Sequence, residues 1–334
     1  MSHLPPSSTV LVTGATGFTG RVLVKRLLDE GHNVRAIARP SSRLGDLADA
    51  DITWFRGEVY DPAVVREAMR EVQFVFHIAT LYRDGGAPES EHRRVHVDST
   101  RLLAEAAAAS PGFRRFVHIS TVGVHGHIEN PPANETAPFH PGDAYQRTKL
   151  EAEQWLHAFA PAHGLSHTVL RPAAIYGPGD KRLLKVFRMA LKKRFILLGN
   201  GKCLYHLIHV EDLVEIMLRA AVHPAAEGQA FICGNPEAIT LEQLGRTVAE
   251  TLNHPFRVLR LPAGPVFFAA ALCEGMCRPF RIPPPLYRRR VAFFTKDRSF
   301  DTRKVRQTLG WEPRYSNEEG LRATALACRQ SGDL

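Results

Sequence analysis

Apolar positions along the first half of the chain alternate between two periods. Short runs (TVLVT at 9–13, NVRAIA at 33–38, DITWF at 51–55, FVFHIAT at 74–80, RFVHIS at 115–120 and HTVLRPA at 167–173) predict strands. Between them, apolar residues recur three and four apart in FTGRVLVKRLLDEG, PAVVREAMR, EHRRVHVDSTRLLAEAAAA and AYQRTKLEAEQWLHAFA, which predict helices. Repeated strand–helix–strand order implies an α/β fold with a doubly wound parallel sheet covered by helices on both faces. Beyond RPAAIYGPGD the order loosens into a basic helix (KRLLKVFRMALKKR), a strand–helix unit (LIHVEDLVEIMLRAAV) and a strand (AFICGN). The last hundred residues read as proline-broken. The expected division is a sheet domain over 1–175 with 207–235 returning to it. Residues 176–206 and 236–334 would form a smaller, partly interleaved domain closing over the sheet's carboxyl edge, where ligands of open α/β sheets bind.

A chain of 334 residues with 44% hydrophobic and 23% charged residues can bury a large core. The net charge of +9 favours anionic partners. Its basic residues form no long run, RRR at 288–290 and KK at 192–193 being the densest clusters, and no nucleic-acid recognition motif appears. The five cysteines are scattered, and Cys273 and Cys277 form a C-x3-C without a second pair, so reduced thiols are expected rather than a zinc site. His118, His125 and His127 lack carboxylate or cysteine partners at ligand spacing, so no metal is expected. MSHLPPSSTV has neither basic leader nor apolar core, and PVFFAAALC is too short to span a bilayer, which predicts a cytoplasmic protein with no integral membrane segment.

The first strand runs directly into TGATGFTG, residues 13–20. Glycines 14, 17 and 20 between strand and helix allow a tight turn, close approach of backbone N–H groups to a pyrophosphate, and close packing of helix on sheet. This is a dinucleotide site in its proper context, with Thr16 and Phe18 inside the loop. The second strand ends at ARPSSR, where Arg39, Ser41 and Arg43 stand in place of the acidic residue that receives ribose hydroxyls in NAD sites. The pattern favours NADP(H), with NAD(H) as the alternative. A second constellation lies in AYQRTK: Tyr145 and Lys149, four apart, share one face of one helix.

With these motifs the chain resembles the extended short-chain dehydrogenase/reductase family. The matching segments are TGATGFTG, GEV (57–59), VFHIAT (75–80), HISTVGVHG (118–126), YQRTK, LRPAAIYGP (170–178), LIHVEDLV (207–214) and FDTRKVRQTLGWEP (300–313). The resemblance implies that Glu58 and Val59 lie beside the adenine, Ala79 and Thr80 beside the phosphates and ribose, and Pro172 and Ile175 in the segment against the nicotinamide. It also implies catalysis by Thr121, Tyr145 and Lys149, with Ser120 as the fallback hydroxyl. Lys149 would lower the pKa of Tyr145 and hold the nicotinamide ribose. Tyr145 would exchange a proton with a carbonyl oxygen, and Thr121 would donate a hydrogen bond to that oxygen. One departure is His96 in VHVDST, where the family commonly has asparagine.

Three functions are weighed. The first is a ketone/alcohol oxidoreductase on an apolar small molecule, as in the 3β-hydroxysteroid dehydrogenase and dihydroflavonol reductase branch. The second is a nucleotide-sugar epimerase or dehydratase, and the third a catalytically silent cofactor-binding regulator. Retention of Tyr145, Lys149 and Thr121 counts against the third. Tyr205–His206 and FFTKDRSFDTRK replace the arginine-bearing motifs that clamp a diphosphate in sugar-nucleotide members, which favours the first. The segment 265–294 could line an apolar cleft, and Arg288–Arg290 could rest the protein on an anionic membrane surface. The resemblance also suggests a homodimer through the helices at 91–109 and 143–160.

Overall fold

A computed structural model describes residues 4–81, 87–277 and 297–334. Seven parallel strands form one sheet in the order β11-β6-β5-β4-β1-β2-β3. They are β1 (Thr9–Thr13), β2 (Asn33–Ala38), β3 (Ile52–Arg56), β4 (Phe74–His77), β5 (Arg115–Ile119), β6 (His167–Pro172) and β11 (Ala230–Cys233). The chain runs outward from β1 in one direction to β3, then crosses back to β4 on the other side of β1. That reversal opens a crevice at the carboxyl ends of β1 and β4.

Each face of the sheet is covered by helices. Helices α1 (Phe18–Asp29) and α7 (Val210–Val222) bury Leu23, Leu27, Leu213 and Met217 against Val10, Val12 and Phe76 of the strands. The opposite face takes α2 (Pro62–Ala68), α4 (Ser99–Ala108) and α5 (Ala144–Ala162), which place Val65, Leu103, Ala107 and Leu156 over Leu11, Val75, Phe116 and Val169. The strands are mostly apolar because both faces are buried. The helix expected over 91–109 is interrupted: α3 (Glu89–Arg93) passes through a π-helical turn, Arg94–Asp98, before α4 begins.

The second lobe is built from α6 (Leu184–Ala190), α8 (Leu241–Thr251) and small two-stranded pairings. These join β7 (Ala174–Tyr176) to β10 (Leu207–His209), β9 (Leu204–Tyr205) to β12 (Ile239–Thr240), and β8 (Phe195–Leu198) to β13 (Val258–Leu261). The last hundred residues are more helical than expected, with α8, α9 (Ala263–Cys277), α10 (Arg303–Leu309) and α11 (Asn317–Gln330). Among the described residues Pro236, Pro255, Pro262 and Pro313 fall between helices, and Pro265 lies in the first turn of α9. Helix α10 and the turn after it return to the sheet, burying Val305, Leu309 and Trp311 in the same core as α1 and α7.

Candidate active site

The loop from β1 into α1 can take only glycine at two positions. Gly14 has φ +74°, and a side chain there would meet Ala79 N at 2.9 Å; one at Gly20 would meet Gly14 O at 2.1 Å. The loop is therefore pressed against the end of β4, where Ala79 N donates to Thr13 Oγ1 (3.2 Å). Gly17 caps α1 without a side chain, leaving the first-turn N–H groups bare. A cradle of exposed amides at a helix start suits a dinucleotide pyrophosphate.

Arg21, one turn into α1, clamps the loop after β2 onto this cradle. Its Nε donates to Thr16 O (3.1 Å), and its Nη atoms donate to Leu44 O (2.8 Å) and Arg43 O (3.2 Å). Arg56 donates to Pro40 O (2.8 Å) and Ser42 O (3.3 Å) from the other side. Asp46, the first carboxylate of the loop, is held below the usual carboxylate range by its hydrogen bond with Lys25 and by the charge of Arg21. Arg39 and Arg43 are exposed, and their guanidinium groups have no ion-pair partner among the described residues. Ser41 is exposed beside them, while Glu58 is half-buried and Val59 buried just beyond β3.

Across the crevice, Asp143 caps α5 by accepting from Gln146 N (2.8 Å), which fixes the first turn that carries Tyr145. Tyr145 is half-buried. Lys149, one turn on, is 1% exposed, and its Nζ donates to Ile119 O (2.8 Å) at the end of β5. Burial pushes the Lys149 ammonium down to about 7, with Glu153 opposing that shift. Thr121 follows two residues after Ile119. Its Oγ1 accepts from Gly123 N (3.0 Å), so its hydroxyl proton is left to donate elsewhere. The turn Val122–His125 packs on the start of α5, since a side chain at Gly123 would meet Gln146 Nε2 at 3.1 Å. Lysine, tyrosine and threonine are thus gathered from α5 and β5 at the sheet's carboxyl edge.

Ser120, the fallback hydroxyl, is turned toward the interior. It is 3% exposed and donates to Glu153 Oε2 (2.6 Å), a carboxylate one helical turn beyond Lys149. Glu153 is ion-paired with Arg171 of β6, whose Nη1 also donates to Glu135 O (3.0 Å) and to His125 Nε2 (3.2 Å). This buried network escaped the sequence reading because its members lie on four separate segments; the E at 153 and the R of LRPAA were its only signals. Pro172 is buried at the end of β6, and Ile175 pairs with Ile208 between β7 and β10.

Two further histidines are packed into the fold. His206 bonds to Asn235 O and accepts from Phe300 N (3.0 Å), and His118 lies fully buried in β5. Among the described residues no three His, Cys, Asp or Glu side chains converge as a metal site. All five cysteines are free. Helix α9 buries Ala270, packs Val266 and Phe267 beside it, and leaves Phe268, Leu272 and Met276 exposed; the rest of the expected cleft segment, and Arg288–Arg290, lie outside the described residues. No described helix is long and apolar enough to cross a membrane.

A parallel sheet with a glycine cradle at its switch point and a tyrosine–lysine helix beside it defines a nicotinamide-dinucleotide oxidoreductase of the short-chain dehydrogenase/reductase type. Residues 10–234 match the model of the NAD dependent epimerase/dehydratase family, and the chain belongs to that family. It is 29% identical over 328 residues to a 3 beta-hydroxysteroid dehydrogenase/Delta 5-->4-isomerase of Mycobacterium tuberculosis, covering 93% of this chain and 88% of the relative. It is 30% identical over 317 residues to sterol demethylase protein B of Methylococcus capsulatus, covering 91% and 94%. Its fold is like that of a UDP-glucose 4-epimerase from Thermotoga maritima, with TM-score 0.78, 24% identity, and 97% and 99% of the two chains covered.

Proposed function

We propose that the protein interconverts a ketone and a secondary alcohol on a largely apolar, steroid-, polycyclic- or lipid-like molecule. The observation that carries this reading is the gathering of Tyr145, Lys149 and Thr121 at the carboxyl edge, beside a cradle that fits a dinucleotide. The nicotinamide, when bound, supplies or accepts the hydride. Tyr145 gives its phenolic proton to the carbonyl oxygen in reduction and removes it in oxidation. Thr121 donates its free O–H to the same oxygen, where negative charge develops. Lys149 biases the phenol toward ionisation while its amine is protonated, and orients the ribose. Gly14, Thr16, Gly17, Phe18 and Gly20 would receive the pyrophosphate, Ala79 and Thr80 the adjoining ribose, Glu58 and Val59 the adenine, and Pro172 and Ile175 the nicotinamide.

NADP(H) is the preferred cofactor in this reading. Support comes from the guanidinium groups of Arg39 and Arg43, unpaired among the described residues and beside Ser41, and from the neutralisation of Asp46 by Arg21 and Lys25. A 2′-phosphate would meet positive charge, not a competing carboxylate. The sterol-named relatives support an apolar substrate, and so do Tyr205 and His206, both buried where a diphosphate clamp would be needed. A homodimer through α4 and α5 is supported by half-buried Leu102, Trp155 and Phe159 on those helices. Five free thiols suit a reducing compartment, the cytoplasm.

The second reading, a nucleotide-sugar epimerase, draws on the fold likeness to such an enzyme. One panel decides between them: hydroxysteroids, flavanonols and aliphatic β-keto compounds against UDP- and dTDP-sugars. Nicotinamide absorbance is followed throughout, with separate product analysis for epimers. Turnover of an apolar carbonyl is expected. Turnover of a nucleotide sugar with no apolar carbonyl accepted would replace this reading with the second.

A further inference from the structure

His96 sits in the π-helical turn between α3 and α4 with no exposed surface. π-Helical turns inside helices often mark functional sites. Both of its ring nitrogens are engaged, and the chemistry of the partners fixes their roles. Leu81 N lies 3.1 Å from Nε2, and a backbone amide can only donate, so Nε2 carries no proton and accepts. Thr80 Oγ1, 2.9 Å away, is then a second donor to the same nitrogen. The ring proton is on Nδ1, which donates to Thr148 Oγ1 (2.8 Å). That hydroxyl in turn donates to Ala144 O (2.8 Å), with Tyr145 O at 3.2 Å.

A single directed chain therefore runs from the loop after β4, through the imidazole, to the first turn of α5. The ring also stands edge-on to the ring of Tyr145, with centroids 5.4 Å apart at 83°. Burial, reinforced by the nearby Lys149 charge, holds His96 far below its ordinary value, which keeps the ring neutral. A protonated ring would turn an N–H toward the Leu81 amide and break the chain.

We propose that His96 is a positioning residue: a neutral Nδ1–H imidazole that couples the Thr80–Leu81 loop to α5 and so sets the placement of Tyr145. This rests on the reading of Tyr145 as the proton donor. The chain acts as one unit, because its central link from His96 to Thr148 is buried, the others are partly buried, and each hydroxyl or nitrogen is polarised by the next.

The test is a double-mutant cycle with His96→Leu, which removes both links, and Thr148→Val, which removes the Nδ1 partner at nearly constant shape. Each single variant is expected to lower kcat about tenfold or more, the scale of a small misplacement of a catalytic group, with cofactor Kd shifted much less. The double variant is expected to be no slower than the worse single one. Thr148→Ser, which keeps the hydroxyl, is expected to recover most of the loss. Parental kcat in either single variant, or losses that multiply in the double, would overturn the proposal. Nitrogen-15 spectra of the histidine rings, with His96→Leu used for assignment, provide a readout independent of turnover. A neutral Nδ1–H ring is expected across the neutral pH range, and an Nε2–H or protonated ring would refute the coupling. If the parent turned over no carbonyl at all, the function proposed above would fail while the tautomer still decided the state of His96.

Discussion

Replacing Glu153 with glutamine removes one charge from a pair that has almost no solvent. The Glu153 side chain is 1% exposed and that of Arg171 is 4% exposed, with Arg171 Nε donating to Glu153 Oε1 at 2.9 Å. Glutamine can turn its oxygen to Arg171 and its amide hydrogens to Ser120 Oγ, but it leaves a guanidinium that keeps its full charge without a counter-charge. The bond from Arg171 to Glu135 O and the one to His125 cannot neutralise it. Leaving a buried charge without its partner costs about 3–5 kcal/mol. Urea unfolding followed by the fluorescence of buried Trp311 reads this as a lowered midpoint at constant slope. The control is Glu67→Gln, which breaks a pair whose side chains are 52% and 67% exposed, and the midpoint is expected to stay put. A loss below about 1 kcal/mol for Glu153→Gln would refute the view of this pair as a charge network sealed from water. Its consequence for the site is local, since Ser120, held by Glu153, precedes Thr121 directly.

Two other predictions concern the cofactor and the lysine. Arg39→Ala is expected to weaken NADPH by roughly 1.5–3 kcal/mol, the worth of a charge-assisted contact, and to leave NADH nearly unchanged; fluorescence titration of both cofactors checks it, and equal affinities in the parent would favour NAD. The amine of Lys149 binds its proton less readily when folded (about 7) than when unfolded (10.5), so the unfolded chain takes up the extra proton between those values. The parent should therefore gain stability relative to Lys149→Met as pH rises from about 7 to about 10.5, by an amount on the order of several kcal/mol. Denaturation midpoints of both proteins across that window, in the absence of cofactor, test the sign; a flat difference would contradict the burial of the amine.

Much of the sheet domain was legible because its signals are local. TGATGFTG carries its own turn chemistry, and Asp143 sits directly before the apolar period that starts α5. The strands of the sheet are mostly apolar runs, and their observed bounds differ from the expected ones by a few residues at most. The second lobe was harder. Helix α8 was overlooked although Thr240 and Gln243 form a capping box at its start, a sequence signal that was present. The pairing of β8 with β13 joins residues some sixty positions apart and has no local mark. In the candidate site, spacing alone placed Tyr145 and Lys149 on one helix, as α5 carries them, and Thr121 came from resemblance. The parts that depend on distant partners were not. Ser120 looks like an available hydroxyl until Glu153 is placed against it, and His96 looks like a packed helix residue until Leu81 and Thr148 are found at its two nitrogens.

The central claim is that Tyr145 exchanges a proton with the substrate oxygen as hydride is transferred. Stopped-flow absorbance of the nicotinamide, in single turnovers of the parent and of Tyr145→Phe with the best carbonyl substrate from the panel, measures that step alone. The predicted result is a rate constant lower by about 10²–10⁴-fold in the phenylalanine variant, with cofactor affinity nearly intact. A variant that transfers hydride at the parental rate would contradict the assignment.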